Sequence, residues 1–133
     1  MDKLEYIPGD FISVYVGVKK YIVEVIGTEN ENEVLLYQIK FPNGEIQYAD
    51  KDNIVPIPLT PEILEKNGWK NDGYDWYKLP TKRAYLYITK DIITLGEFLV
   101  CVGLDRHNLA SINFVHQLQH IFFSLNINHK MEV

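Results

Sequence analysis

The sequence predicts an α+β protein: a small β-barrel over residues 1–58, then an α-β-β-β-α module over residues 59–133. Three observations predict it. Residues 11–57 alternate like short strands with no helical period, Asn43-Gly44 marks a hairpin, and the last third carries an apolar stripe at three- and four-residue spacing. With 47% hydrophobic and 23% charged residues, the chain has the composition of a folded domain and not of a disordered segment.

Pro8-Gly9-Asp10 opens the first module as a turn. Ile12, Val14, Val16 and Val18 fall on one face of the first strand. Tyr21 to Ile26 forms the second strand, and Thr28 to Glu33 is a polar loop with nothing to bury. Leu35, Tyr37, Ile39 and Phe41 alternate with Leu36, Gln38 and Lys40. A tight Asn43-Gly44 turn with positive φ at both positions then leads to Ile46 and Tyr48. Asp50 to Asn53 is a single turn before a fifth strand, Ile54 to Ile57. This layout resembles an SH3-like or Tudor-like small barrel, a likeness of arrangement that carries no binding function. Tyr37 and Tyr48 share faces with aliphatic neighbours and are expected inward. Tyr15 is the exposed aromatic candidate, and Tyr21 fits either face.

Pro56-Ile57-Pro58 ends the sheet pattern. Thr60-Pro61-Glu62 starts a short helix, with an N-cap, a first-turn proline and a dipole-matched acid, and Gly68 stops it. Tyr74 to Leu79 and Arg83 to Thr89 read as strands. Ile92 to Leu95 and Phe98 to Leu104 read as one further strand or two, with Gly96 as a bend, so the second sheet has about three to four strands. Ile112, Val115, Leu118, Ile121, Phe122 and Leu125 predict a helix from about Ala110 to Leu125, packed on that sheet. Lys130 to Val133 suits a short edge strand.

Leu59-Thr60-Pro61-Glu62-Ile63-Leu64-Glu65-Lys66-Asn67-Gly68-Trp69 and Phe114-Val115-His116-Gln117-Leu118-Gln119-His120 resemble motifs of small, uncharacterised prophage and mobile-element proteins of anaerobic gut bacteria. The resemblance covers mainly residues 54–133. It implies a genomic context, an accessory protein of a phage or transposable element, and no activity.

Candidate chemistry is sparse. His116 and His120 stand four apart on one helical face, the spacing of zinc-protease ligands. Gln117, which cannot take a proton, occupies the place of the general base, and Asn126 stands where a third ligand would. They read as hydrogen-bonding residues at a packed helix edge. Glu62/Glu65 and Asp72/Asp75 read as solvated charges, since no apolar surroundings would raise a carboxyl pKa. Cys101, the only cysteine, sits in an apolar run as a buried thiol. No catalytic residue, metal site or cofactor is expected, and the chain is expected not to be an enzyme.

The constellation worth testing is a strand face. Tyr74, Trp76 and Lys78 alternate outward on one strand, and Arg83, Tyr85 and Tyr87 on the next. Aromatics interleaved with cations suit single-strand stacking. Against that, residues 1–58 hold five Lys/Arg and ten Asp/Glu, and the whole chain carries −5, a poor balance for tracking phosphates. The expected role is therefore contact with a protein partner or self-association, with nucleic acid second. No membrane role and a cytoplasmic location are expected, because no apolar run is long enough to span a bilayer and no secretory signal is seen.

Overall fold

The computed structural model describes residues 6–73, 75–81, 85–90, 97–103 and 107–133. It divides into two units, Met1–Ile57 and Pro58–Val133. The first contains a five-stranded antiparallel sheet of order β4-β3-β2-β1-β5, built from β1 (Phe11–Val16), β2 (Lys19–Glu31), β3 (Val34–Lys40), β4 (Ile46–Ala49) and β5 (Ile54–Val55). Its two outer strands, β4 and β5, are not paired with each other, so the described sheet is not a closed barrel.

Local chemistry sets each connection. Ile7, Pro8, Gly9 and Asp10 form a turn in which Gly9 takes φ 98°, and the buried Asp10 carboxylate accepts the Ile7 N–H at 2.9 Å. Gly9 N–H and Asp10 C=O then pair with Val25. Asp50 caps a single 3-10 turn, Lys51–Asn53, before β5, as expected.

Three expectations for this unit are corrected. Thr28 to Glu33 is no loop: β2 runs to Glu31, opposite Val34, and Asn32 and Glu33 make the turn with φ 51° and 68°. Two successive left-handed residues match the twist of a two-residue hairpin, and strand pairing outweighs the polar composition. Val16 and Val18 are exposed, because β1 ends at Val16 and the chain reverses through Gly17. Third, Ile46 and Tyr48 point outward, at 51% and 52% exposure.

The cause of that inversion is one residue of loop. A two-residue turn at Asn43-Gly44 would set Ile39 opposite Tyr48. Instead Phe41 N–H bonds Glu45 C=O and Gly44 N–H bonds Phe41 C=O, with Gly44 alone at positive φ (91°). The loop is therefore Pro42-Asn43-Gly44, and the register becomes Ile39↔Gln47 and Gln38↔Tyr48. A slip of one residue turns every side chain of a strand over. The core of this unit gathers Tyr6, Ile12, Val14, Val23, Val25, Tyr37, Ile39, Phe41, Ala49 and Ile54, with Tyr6 and Tyr37 edge to face at 5.4 Å.

The second unit opens with α1 (Pro61–Lys66). Thr60 Oγ1 accepts the Ile63 N–H, and Gly68 (φ 90°) ends the helix with Gly68 N–H on Glu65 C=O and Trp69 N–H on Leu64 C=O. This Schellman closure brings Trp69 back over Leu64. A five-stranded antiparallel sheet follows in the order β10-β9-β8-β7-β6. Its strands are β6 (Lys70–Asn71), β7 (Trp76–Pro80), β8 (Tyr85–Lys90), β9 (Phe98–Val102) and β10 (His107–Ile112). The final helix, α2 (Val115–Ser124), buries Val115, His116, Leu118, Gln119 and Phe122.

Among the described residues the sheet thus has five strands and not three to four, the extra ones being its two edge strands, the short β6 and β10. The helix begins at Val115, because Ala110 to Ile112 pair with β9. Ile112 is buried in the strand, which is why it matched the helical stripe. Lys130 to Val133 forms no strand. Asn67 substitutes for one: its amide donates to Glu132 C=O and accepts Glu132 N–H, both at 2.7 Å, and Met131 is buried beside it. Ile92 to Leu95, Gly96 and Leu104 lie outside the described residues.

Candidate binding faces

In the second sheet, Lys78 stands opposite Tyr87, Trp76 opposite Thr89, and Pro80 opposite Tyr85. Directly opposed residues share a face, so Trp76, Lys78, Tyr85 and Tyr87 lie together. The coincidence of faces that a stacking platform needs is therefore present. The Lys78 ammonium sits 4.5 Å from the Tyr85 ring centroid, and Trp76 meets Tyr87 edge to face at 6.3 Å. Thr89 Oγ1 donates to Asp75 C=O at 2.9 Å.

The four are not equally available. Tyr85 is 44% exposed and Lys78 is exposed, whereas Trp76 is half-buried and Tyr87 is only 7% exposed. Tyr87 is thus a packing residue, a correction to its place among the binding candidates. It sits on a central strand between Lys78 and Cys101, where period-two alternation does not guarantee solvent on either side. Tyr74 and Arg83 lie outside the described residues. The opposite face carries the buried Leu86, Ile88, Phe98 and Val100. Tyr77 shares it, and its phenol is raised above the usual 10.0, first by burial and then by the carboxylates of Glu65 and Glu62 on α1.

The histidine pair is part of the helix start. The His116 ring is buried, stacked on Phe114 at 5.9 Å and edge to face with His120 at 5.5 Å. Gln117 Oε1 accepts the Asn113 and Phe114 N–H groups at 2.8 and 3.0 Å, so the residue standing in the general-base position caps α2. His107 is exposed on β10, and His129 packs edge-on against Phe123 while its carbonyl accepts the Gln119 amide. Among the described residues no three His, Cys, Asp or Glu side chains are grouped to hold a metal ion. Among them, too, no helix is long and apolar enough to cross a membrane.

The first sheet presents the face that sequence reasoning missed. Its outward side carries Tyr15 and Ile22 toward one end, and Ile46, Tyr48 and Val34 toward the other, all exposed. Tyr15 is outward as expected. Tyr21 lies on the inner side, its ring edge to face with Phe41 at 5.7 Å, yet remains partly exposed. The signal for Tyr48 was Pro42, which lengthens the loop and sets the register.

A hydrogen bond to Glu29, followed by the Glu29 charge, desolvation and the Glu31 charge, raises the Tyr48 phenol above 10.0. A raised acid favours the protonated folded form, so any stability it lends is complete below the unfolded pKa and is lost as pH rises through the folded one. Ultraviolet titration is expected to show Tyr48 and Tyr77 ionising late, above pH 10, and only the Tyr48 component returning toward its ordinary value in Glu29→Gln. No change in Glu29→Gln would remove the assigned cause.

Comparison with protein-family models, with curated proteins and with solved structures returns no match for this chain.

Proposed function

We propose that the chain is a non-enzymatic accessory protein of a phage or mobile element that acts through protein contacts, and that its first unit is an SH3-like module. The observation carrying the protein-contact reading is the outward face of the first sheet, where Ile46 and Tyr48 stand half exposed on an edge strand. An amphipathic aromatic and an aliphatic side chain beside unpaired backbone groups are what an added strand or a docked loop uses. The SH3-like assignment is supported by the strand order β4-β3-β2-β1-β5 and the 3-10 turn before β5. The mobile-element context is supported by the motifs at Leu59 to Trp69 and Phe114 to His120.

Nucleic-acid binding is the second reading, favoured by the shared face of Trp76, Lys78 and Tyr85. Burial of Tyr87 and the engagement of Lys78 with Tyr85 leave less of it for bases, and the acidic charge opposes phosphate.

Photo-crosslinking separates the two. With p-benzoylphenylalanine in place of Tyr48, a discrete protein adduct is expected in the native host. The outcome that sinks the protein-contact reading is no protein adduct there, together with saturable single-strand binding that weakens with salt and disappears in Trp76→Ala or Tyr85→Ala.

A further inference from the structure

Resting on the protein-contact reading, we propose that the partner is a second copy of this chain, joined head to tail. The lysine-bearing tip of the β1–β2 hairpin on one copy docks on the acidic tip of the β2–β3 hairpin on the next.

The first tip is apolar and basic. Val18 is 97% exposed at the reversal, flanked by exposed Tyr15, Val16, Lys19 and Lys20, and no acidic residue occurs between Phe11 and Val23. The second tip is its complement. Glu29, Glu31 and Glu33 are exposed beside Val34, and no cationic residue occurs between Tyr21 and Ile39. Each tip pairs exposed apolar side chains with charge of a single sign.

These opposite charges do not satisfy each other within one chain. Lys20 and Glu29 are nine residue steps apart along β2, about 30 Å of strand at the usual rise. Screening at physiological salt acts over roughly 8 Å, so the two ends are electrostatically independent. Another molecule brings them together, and the apolar residues give the encounter area that charge alone does not. Because the joined surfaces differ, the association is heterologous and closes into a ring or continues as an open array.

Sedimentation velocity on the full chain tests this with paired charge reversals, all at exposed positions. The wild-type mass is expected to rise with concentration and to fall with added salt. Lys19→Glu/Lys20→Glu has two acidic tips and Glu31→Lys/Glu33→Lys has two basic tips, so each alone is expected to associate at least about tenfold more weakly. An equimolar mixture restores both complementary contacts and is expected to associate again. Circular dichroism and urea midpoints confirm that the variants are folded.

A wild type that keeps single-chain mass at every concentration in low salt overturns the proposal. So does either reversed variant associating as the wild type does, or a mixture that fails to recover. A strict monomer ends the head-to-tail contact alone, whereas the absence of any protein adduct at position 48 bears on the protein-contact reading itself.

Discussion

Replacing Trp69 with alanine is expected to lower the unfolding free energy by about 3–5 kcal/mol, the usual cost of deleting a buried large aromatic. Trp69 is 2% exposed, follows the glycine that closes α1, and stacks on Phe122 of α2 at 6.4 Å with 11° between the ring planes. It therefore joins both helices of the second unit. Its indole N–H is buried with no hydrogen-bond acceptor among the described residues. Trp69→Phe keeps a ring for the stack and removes that donor, so its cost is expected to stay under about 1.5 kcal/mol. Urea denaturation of both variants checks this. An alanine effect within about 0.5 kcal/mol, the range of a surface substitution, would mean that Trp69 holds nothing together.

Ile39→Ala is expected to cost about 2–5 kcal/mol, whereas Ile46→Ala is expected to stay within about 0.5 kcal/mol. Ile39 is 1% exposed in the core of the first unit, and Ile46 lies on the far side of the same sheet. The contrast tests the register of the β3–β4 hairpin, since a two-residue turn would place Ile46 inward as well. Equal costs for the two alanine variants would refute the three-residue loop.

What was legible in the chain was whatever is decided locally. Thr60, Pro61 and Gly68 bound α1 as their chemistry requires, and Asp50 closes its turn from a side chain two residues away from the bonded N–H. The alternation of Leu35, Tyr37, Ile39 and Phe41 marks a strand whose one face is buried. Much of the Leu59 to Trp69 motif is accounted for by these caps and by Trp69, so its distinctiveness reflects packing needs.

What escaped was decided by partners distant in sequence. The outward turn of Tyr48 depends on which residue of β3 stands opposite, and that follows from Pro42 joining the loop. β10 has two polar residues at its start and an edge position, so pairing with β9 defines it more than its own pattern does. The joint face of Trp76, Lys78, Tyr85 and Tyr87 was legible because antiparallel pairing preserves parity, but the burial of Tyr87 was not. A central strand can be covered on both sides, and alternation within one strand carries no information about what lies above it.

Cys101 is the fourth of the five residues of β9, 1% exposed, with its Sγ 3.2 Å from Asn108 Oδ1 on β10. A thiol in that place is shielded from alkylating reagents for as long as β9 and β10 stay paired. As the chain has one cysteine, its modification rate is a single-site clock for how often that part of the sheet opens. Followed across denaturant, that rate distinguishes a brief parting of the β9–β10 edge from unfolding of the whole unit, with no residue substituted.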